Sequence, residues 1–115
     1  MKKFAFVSEA AAREYRALPA EVQDEFGKDL RRIQYGEEPE LAIKHLTESV
    51  GAGAVELIIN GSPAFRCVYI VKYADTVFVL HSFVKTTNGT DKPAMKVAET
   101  RLSELKQELR KAGLL

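Results

Sequence analysis

The hydrophobic residues of this chain follow two different periods, and the change between them limits the folds that the chain can adopt. From Ser8 to Tyr35 apolar residues recur every three or four positions, as in amphipathic helices. From Val55 to Lys85 the pattern is that of β-strands, and near the C-terminus the helical period returns. A chain of 115 residues has the length of one domain. The sequence therefore predicts a single α+β domain over residues 1–115.

The N-terminal part predicts one short strand followed by a helical hairpin. Phe4–Val7 is aromatic and β-prone, and the Ser8 side chain can cap the helix that follows. Pro19 ends this helix and suits the first turn of a second one. The second helix is predicted to end at Tyr35, with Gly36 just beyond its C-cap. The apolar face of the hairpin comprises Ala11, Tyr15, Leu18, Val22, Phe26, Leu30 and Ile33.

Three strands are predicted downstream, at Val55–Ile59, Phe65–Tyr73 and Thr76–Lys85. The short turns between them favour an antiparallel meander. Residues 36–54 have no clear period, and their few apolar side chains are expected to dock as a short helix or an extended segment.

A last helix is predicted after Asp91, which can cap it, with Pro93 in its first turn and an apolar stripe at Ala98, Leu102, Leu105 and Leu109. The predicted fold is then a helical hairpin packed on a small antiparallel sheet, in the order β-α-α-β-β-β-α. Phe26, Leu30 and Leu80 are expected to lie between the hairpin and the sheet. The other sheet face is expected to be partly open, because too few elements remain to cover it.

Composition excludes several classes of function. With 17 Lys and Arg against 16 Asp and Glu, the net charge is +1, which excludes a strongly basic, charge-driven nucleic-acid binder. The single cysteine, Cys67, rules out an internal disulfide and favours a cytoplasmic location. No apolar run approaches the roughly 20 residues of a membrane span. No acidic or histidine grouping has the spacing of metal ligands, so neither a metal nor another cofactor is expected.

Strand alternation is expected to bring three basic side chains to one face of the sheet. Arg66 lies near the start of one strand, and His81 and Lys85 lie near the end of the next, so these ends are adjacent in an antiparallel hairpin. Cys67 and Leu80 are expected behind them. Taken singly, the three have ordinary interpretations as a solvated strand residue, a partly buried histidine and a strand-end charge. Together, with no carboxylate close in sequence, they predict a phosphate site.

Several short motifs follow one another in this part of the chain: Glu56-Leu57, Phe65-Arg66-Cys67-Val68-Tyr69, His81-Ser82-Phe83-Val84-Lys85, Pro93 and Ala98. In this order they resemble the phage-derived HigB-like toxins of the RelE/ParE superfamily. The helical hairpin also fits, so the resemblance covers nearly the whole chain. Ile58 and Thr86 stand where that family usually has basic residues.

The resemblance implies the toxin of a type II toxin–antitoxin pair, a cytoplasmic endoribonuclease (mRNA interferase) that cuts mRNA on the ribosome. The ribose 2′-OH would attack its adjacent phosphate without a metal. Arg66 would hold the phosphate, His81 would transfer protons and Lys85 would stabilise charge. RNA contacts would come from Lys72 and from an aromatic ring that stacks on a base, Phe83 or, if register allows, Tyr69.

The partner that the resemblance implies is a helix-turn-helix antitoxin encoded by an adjacent gene. Two alternatives remain open at this point. A catalytically inactive binding module is favoured by Ile58 and Thr86. A ParE-like inhibitor of DNA gyrase would share the fold, which does not determine function, but the His-x-Phe-x-Lys strand end favours the RNA interpretation.

Overall fold

The computed structural model describes residues 1–115, which form an α+β domain of three helices and one five-stranded sheet. No helix combines the length and the apolar character that a membrane crossing requires. In chain order the elements are β1 (Lys3–Phe6), α1 (Glu9–Arg16), α2 (Ala20–Gln34), β2 (Ala42–His45), β3 (Val55–Ile59), β4 (Ala64–Ile70), β5 (Thr76–Lys85) and α3 (Lys92–Lys111).

The ends of the helical hairpin lie where the sequence predicts them. Ser8 caps α1, because its Oγ accepts a hydrogen bond from the Ala11 amide at 3.1 Å. Helix α2 ends in a left-handed Gly36 with φ +79°. The Gly36 amide donates to the Ile33 carbonyl at 3.0 Å and the next amide, that of Glu37, donates to the carbonyl of Arg32 at 2.9 Å, which is a Schellman motif.

The sheet is mixed, with the strand order β1-β5-β4-β3-β2, so the prediction of a purely antiparallel sheet in the order β-α-α-β-β-β-α is wrong in two respects. First, β1 pairs with β5 in parallel, from Lys3 opposite Thr76 to Phe6 opposite Val79. Strands that are joined by a short turn pair in antiparallel fashion, but β1 and β5 are far apart in sequence, so this rule does not apply to them. Second, β2 is an additional edge strand. Its four residues are all exposed, so it carries no hydrophobic alternation.

Each face of the sheet packs against helices and has its own core. Helix α2 and the end of α1 cover one face, which we call the hairpin face, and Phe26 and Leu30 are buried there as predicted. The opposite face, which we call the α3 face, is not simply open. Half of it is covered by α3 and by apolar residues of the segment between β2 and β3, whose buried members are Leu46, Val50, Ala54, Ala94, Met95, Ala98 and Leu102.

A β-bulge in β5 decides which side chains face α3. Val68 pairs with His81 and Tyr69 pairs with Val79, so Leu80 is an extra residue without a partner in β4. Val79 belongs to the core of the hairpin face, whereas Leu80 is fully buried in the core of the α3 face. The prediction that Leu80 packs against the hairpin is therefore wrong, because strict alternation fails at the bulge.

Replacing Leu80 by alanine should lower the free energy of unfolding by about 2–5 kcal/mol, since a fully buried leucine leaves a cavity in the α3 core. Val84→Ala is the matched control, because Val84 lies on the same strand and is 43% exposed. Its effect should stay within about 0.5 kcal/mol. Urea unfolding followed by circular dichroism measures both. Equal losses in the two variants would contradict the packing described for β5.

Candidate functional site

The half of the α3 face that α3 leaves partly uncovered carries most of the polar side chains of the sheet. Its residues are Lys44, Glu56, Ile58, Arg66, His81, Phe83 and Lys85, and we call it the open half-face. Arg66 pairs with Phe83, while His81 and Lys85 lie two residues to either side of Phe83 on the same strand. Arg66, His81 and Lys85 therefore share one face of the sheet, with Arg66 beside the centre of the group. Cys67 lies behind them on the hairpin face, whereas Leu80 does not.

His81 is held by a carboxylate that also binds an arginine. Its Nδ1 lies 2.8 Å from Oε1 of Glu14. The Arg101 guanidinium binds the same carboxylate in bidentate fashion, at 2.8 Å to each oxygen, and also donates to the Leu80 carbonyl at 2.9 Å. We call the group of Glu14, His81 and Arg101 the Glu14 clamp. It joins α1, β5 and α3 at one end of the open half-face.

The ionisation of Glu14 fixes the orientation of the histidine. Burial opposes the charged form, but hydrogen bonds from Arg101 and His81 hold the pKa of the Glu14 carboxyl below its ordinary value. The carboxylate is thus an acceptor and favours the tautomer in which His81 carries its proton on Nδ1, while Nη1 of Arg101 lies 3.4 Å from the same nitrogen. The other ring nitrogen, Nε2, has no hydrogen-bond partner within the protein. The ring also stacks on Phe83, with 4.9 Å between the ring centroids.

Arg66 is engaged by groups of its own surroundings. Its Nε lies 3.6 Å from Oε1 of Glu56, and Nη2 donates to Oδ1 of Asn60 at 3.3 Å. Nη1 donates to the backbone carbonyls of Phe65 and Ile59 at 3.0 and 3.3 Å. The residue is only 8% exposed. No carboxylate lies close to the three cations in sequence, but the fold brings two carboxylates beside them. Glu14 belongs to α1 and Glu56 belongs to β3. Distance along the sequence did not indicate that these two elements lie beside the basic residues.

Glu56 is the one carboxyl group among the residues of the open half-face, and its burial disfavours the charged form. Burial raises the pKa of Glu56 above its ordinary value, although Arg66, Lys44 and Lys85 act in the opposite direction. Lys44 is its direct neighbour across the β2–β3 pair. A buried carboxyl with a raised pKa beside cations is typical of groups that exchange protons in active sites. The sequence motif contained Glu56, but no role was predicted for it.

Lys85 lies at the rim, where β5 ends. Its Nζ donates to the backbone carbonyl of Thr87 at 2.5 Å. A narrow cleft opens beside it, between the end of the sheet and the start of α3, lined by Lys44, Leu46, Glu56, Phe83, Lys85, Gly89, Thr90, Asp91 and Met95. No three His, Cys, Asp or Glu side chains come together as a set of metal ligands would.

The three residues predicted to contact RNA have different positions. Phe83 is partly exposed on the open half-face. Lys72 follows β4 at the far end of the sheet, where its Nζ lies 5.8 Å from the centroid of the Tyr73 ring. Tyr69 is 5% exposed on the hairpin face, and burial raises its pKa to about 12. The register therefore does not allow Tyr69 to stack a base beside Arg66.

Two of the residues that sequence reasoning missed carry a recognisable signal. Arg101 stands three residues after Ala98 and four before Leu105, and so interrupts the apolar stripe of α3 with a charge. Glu56 is a charged residue inside an otherwise apolar strand. Buried charges need partners, so both positions point to an ion pair within the core. Glu14 has no such signal, because it lies among other charged residues of α1.

The Glu14 clamp predicts a stability difference that depends on pH. Because folding lowers the pKa of Glu14, its ionised carboxylate contributes to the free energy of unfolding at pH values above the ordinary pKa of 4.5. This contribution is lost as the pH falls through the pKa that Glu14 has in the folded protein. Wild type should therefore be more stable than Glu14→Gln near neutral pH, with the difference shrinking in acid. Urea unfolding at several pH values between about 7 and 3 measures this. Glu9→Gln, on the exposed side of α1, should show no such change. A difference for Glu14→Gln that stays constant with pH would contradict the clamp.

Comparison with known proteins identifies the family. Residues 13–103 match the model of a family described as phage-derived protein Gp49-like (DUF891). The match covers well over half of the chain and includes the Glu14 clamp and the whole open half-face. No curated protein matches the chain. The chain therefore belongs to the phage-derived Gp49-like family, which is associated with toxin–antitoxin systems.

Proposed function

We propose that this protein is the toxin of a type II toxin–antitoxin pair and that it cuts mRNA on the ribosome, in the cytoplasm. Membership of the Gp49-like family supports the toxin role. The observation that carries the cleavage proposal is the arrangement of the open half-face. It combines a histidine with an unpartnered Nε2, a buried arginine, a lysine and a carboxyl group with a raised pKa.

The proposed reaction is attack of a ribose 2′-OH on the adjacent phosphorus. One group must accept the proton of the 2′-OH, another must protonate the departing 5′-oxygen, and cations must stabilise the charge of the phosphorane. Two proton-transfer groups flank Val68, which lies two residues after Arg66 on the same face of β4. Glu56 and His81 both pair with Val68, from opposite sides, so their Cα atoms are roughly 10 Å apart, which is two strand spacings. A phosphate bound by the Arg66 guanidinium, whose Nε lies 3.6 Å from Glu56, would lie beside this pair.

The cations of the face have separate tasks in this proposal. Arg66 would bind the phosphate through two parallel hydrogen bonds, in place of its contact with Glu56. Proton uptake by Glu56, which its raised pKa favours, would release Arg66 for that purpose. Lys85 would stabilise charge at the rim, and Phe83 would stack a base beside His81. The proposed partner that silences the toxin is a helix-turn-helix antitoxin from an adjacent gene.

One observation favours a second candidate, a binding module that does not cleave. Arg66 already contacts four acceptors, namely Glu56, Asn60 and two backbone carbonyls. Its neighbour across the β3–β4 pair is Ile58, an apolar residue. A phosphate would have to replace existing partners of Arg66 and would gain no second cation at that position.

The two candidates differ in what they do to mRNA. Induction of the protein in bacteria should create new mRNA 5′ ends, and these should disappear when translation is blocked. His81→Gln should keep the fold and lower cleavage by about 10²–10⁴-fold, because a proton-transfer group is lost. Arg66→Lys should also lower cleavage, because a lysine cannot form the paired hydrogen bonds. Sequencing of mRNA 5′ ends measures all of these effects.

The chain supplies matched controls for both variants. His45→Gln changes the other histidine, which is exposed on β2, and Arg13→Lys changes an exposed arginine of α1. Both should cleave like wild type. If induced wild type yields no new 5′ ends, or if His81→Gln cleaves as well as His45→Gln, the nuclease proposal fails. Growth arrest without new ends would favour the binding module.

A further inference from the structure

Strand β2 forms a free edge of the sheet, on the side away from β1, and every residue of this strand is exposed. The Leu46 amide donates to the Ala54 carbonyl at 2.9 Å, which fixes the phase of the hydrogen bonds between β2 and β3. Counted back along the register, the peptide groups of Ala42 and Lys44 face β3, whereas those of Ile43 face outwards. Outward peptide groups on an edge strand are a template for an added strand.

The segment that leads into β2 is held in place by a buried carboxylate. Asp29 of α2 is only 2% exposed, and its two oxygens accept hydrogen bonds from the Glu40 amide at 2.9 Å and from the Leu41 amide at 2.8 Å. Leu41 also packs against the core of the hairpin face. This edge is therefore ordered before a partner arrives, which lowers the entropic cost of adding a strand.

The sequence of the edge is complementary in charge to itself. Glu40-Leu41-Ala42-Ile43-Lys44 has an acidic residue at one end, a basic residue at the other and alanine at the centre. If two such strands run antiparallel about a two-fold axis at Ala42, Glu40 of each copy lies opposite Lys44 of the other. Leu41 then lies opposite Ile43, so the apolar residues also meet.

The other registers that set outward peptide groups against each other match less well. An axis at Lys44 would place two lysines opposite each other, and an axis at Ile43 would leave both charges opposite apolar residues. An axis at Leu41 would depend on the amides of Leu41 and Pro39. The first is already bound by Asp29, and proline has no amide hydrogen. The register centred on Ala42 is the one that the edge favours.

The groups that this register brings together are free to pair. The Glu40 side chain is 78% exposed, and its contact with Arg32, at 3.8 Å, lies at the surface. Lys44 is exposed, and its cross-strand neighbour Glu56 is bound to Arg66 instead. A lysine on an edge strand often prevents pairing with other chains. In a second copy of this chain, however, a glutamate lies where that lysine needs it.

We infer that the β2 edge is the interface of a homodimer, in which two copies of β2 pair antiparallel about a two-fold axis at Ala42. The Ile43 amide of each copy would donate to the Leu41 carbonyl of the other. The two five-stranded sheets would join into one, with both α3 faces on the same side. Glu40 of the partner subunit would lie beside Lys44 at the border of the open half-face. The dimer does not depend on the proposed cleavage of mRNA.

Sedimentation equilibrium of the full chain tests the inference. A strand of four residues buries little surface, so we expect a weak dimer with a Kd on the order of 10⁻⁴ M. Glu40→Lys and Lys44→Glu should each weaken it roughly tenfold or more, because like charges meet across the axis. The two changes combined recreate both ion pairs in reverse and should restore the dimer. Circular dichroism checks that each variant is folded.

Helix α3 supplies the matched controls for these charge reversals. Lys96 and Glu99 form an exposed ion pair there, away from β2. Lys96→Glu and Glu99→Lys make the same changes in net charge as the variants at the edge. Both should dimerise like wild type.

Cross-linking by oxidised glutathione tests the register separately. At a two-fold axis the Cα atoms of the two Ala42 residues would be about 4.5 Å apart, within the range of a disulfide, so Ala42→Cys should yield a linked dimer on a non-reducing gel. The Cα atoms of the two Lys44 residues would be roughly 13 Å apart, so Lys44→Cys should not link. Wild type should not link either, because Cys67 is fully buried.

Three results would overturn the homodimer. The first is a wild-type chain that stays monomeric at about 1 mM, roughly ten times the expected Kd. The second is a combined variant that is folded but no more dimeric than Glu40→Lys or Lys44→Glu alone. The third is that Lys44→Cys links as readily as Ala42→Cys, or that neither links although the wild-type chain associates.

Discussion

The carboxylate of Glu14 joins three elements that are far apart in sequence. It accepts hydrogen bonds from His81 on β5 and from Arg101 on α3, and it belongs to α1. The β5 bulge makes this possible, because it turns both Leu80 and His81 towards α3. Leu80 then fills the α3 core, and its carbonyl is bound by Arg101. The placement of the histidine and the packing of the last helix therefore depend on the same small group of contacts.

The sequence predicts the fold well where local physical chemistry decides it. The Ser8 cap and the Gly36 Schellman motif mark helix ends because both follow from short-range hydrogen bonds. The sequence does not predict β2, whose pairing depends on β3 and whose own residues are exposed. The parallel pairing of β1 with β5 also has no local signal, since it depends on how the whole chain returns to the sheet.

The candidate site was predictable in part. A two-residue turn at Ala74-Asp75 places Arg66 opposite Phe83, and the structure has this pairing. The pairs nearer the turn are shifted by one residue, and the bulge at Leu80 restores the register. Arg66 and His81 therefore share a face although Leu80 does not follow the alternation. Glu14 remained hidden, because it lies among other charged residues of α1, whereas the charge of Arg101 within the apolar stripe of α3 was a signal that could have been used.

The pairing of cations with carboxylates shapes the proposed chemistry. Arg66 lies against Glu56, and Glu14 lies between His81 and Arg101. Lys44, Arg66 and Lys85 still outnumber Glu56, so the open half-face is locally positive although the net charge of the whole chain is only +1. An RNA phosphate would then bind through this local positive charge and through exchange of the partners of Arg66, rather than through a positive field of the whole protein. The two carboxylates differ in character, because Glu14 is held ionised while burial favours the neutral form of Glu56. One orients the histidine, and the other is suited to proton exchange.

The protonation of the His81 ring tests this arrangement most directly. Nitrogen-15 magnetic resonance of the imidazole in the full chain, at a pH where the ring is neutral, distinguishes the two tautomers. The hydrogen bond to the ionised Glu14 predicts a proton fixed on Nδ1, with Nε2 free to act as a base. In Glu14→Gln the preference for Nδ1 should weaken, while the signals of the exposed His45 should not change. A neutral His81 that carries its proton on Nε2, in wild type as in Glu14→Gln, would contradict the role given to the Glu14 clamp.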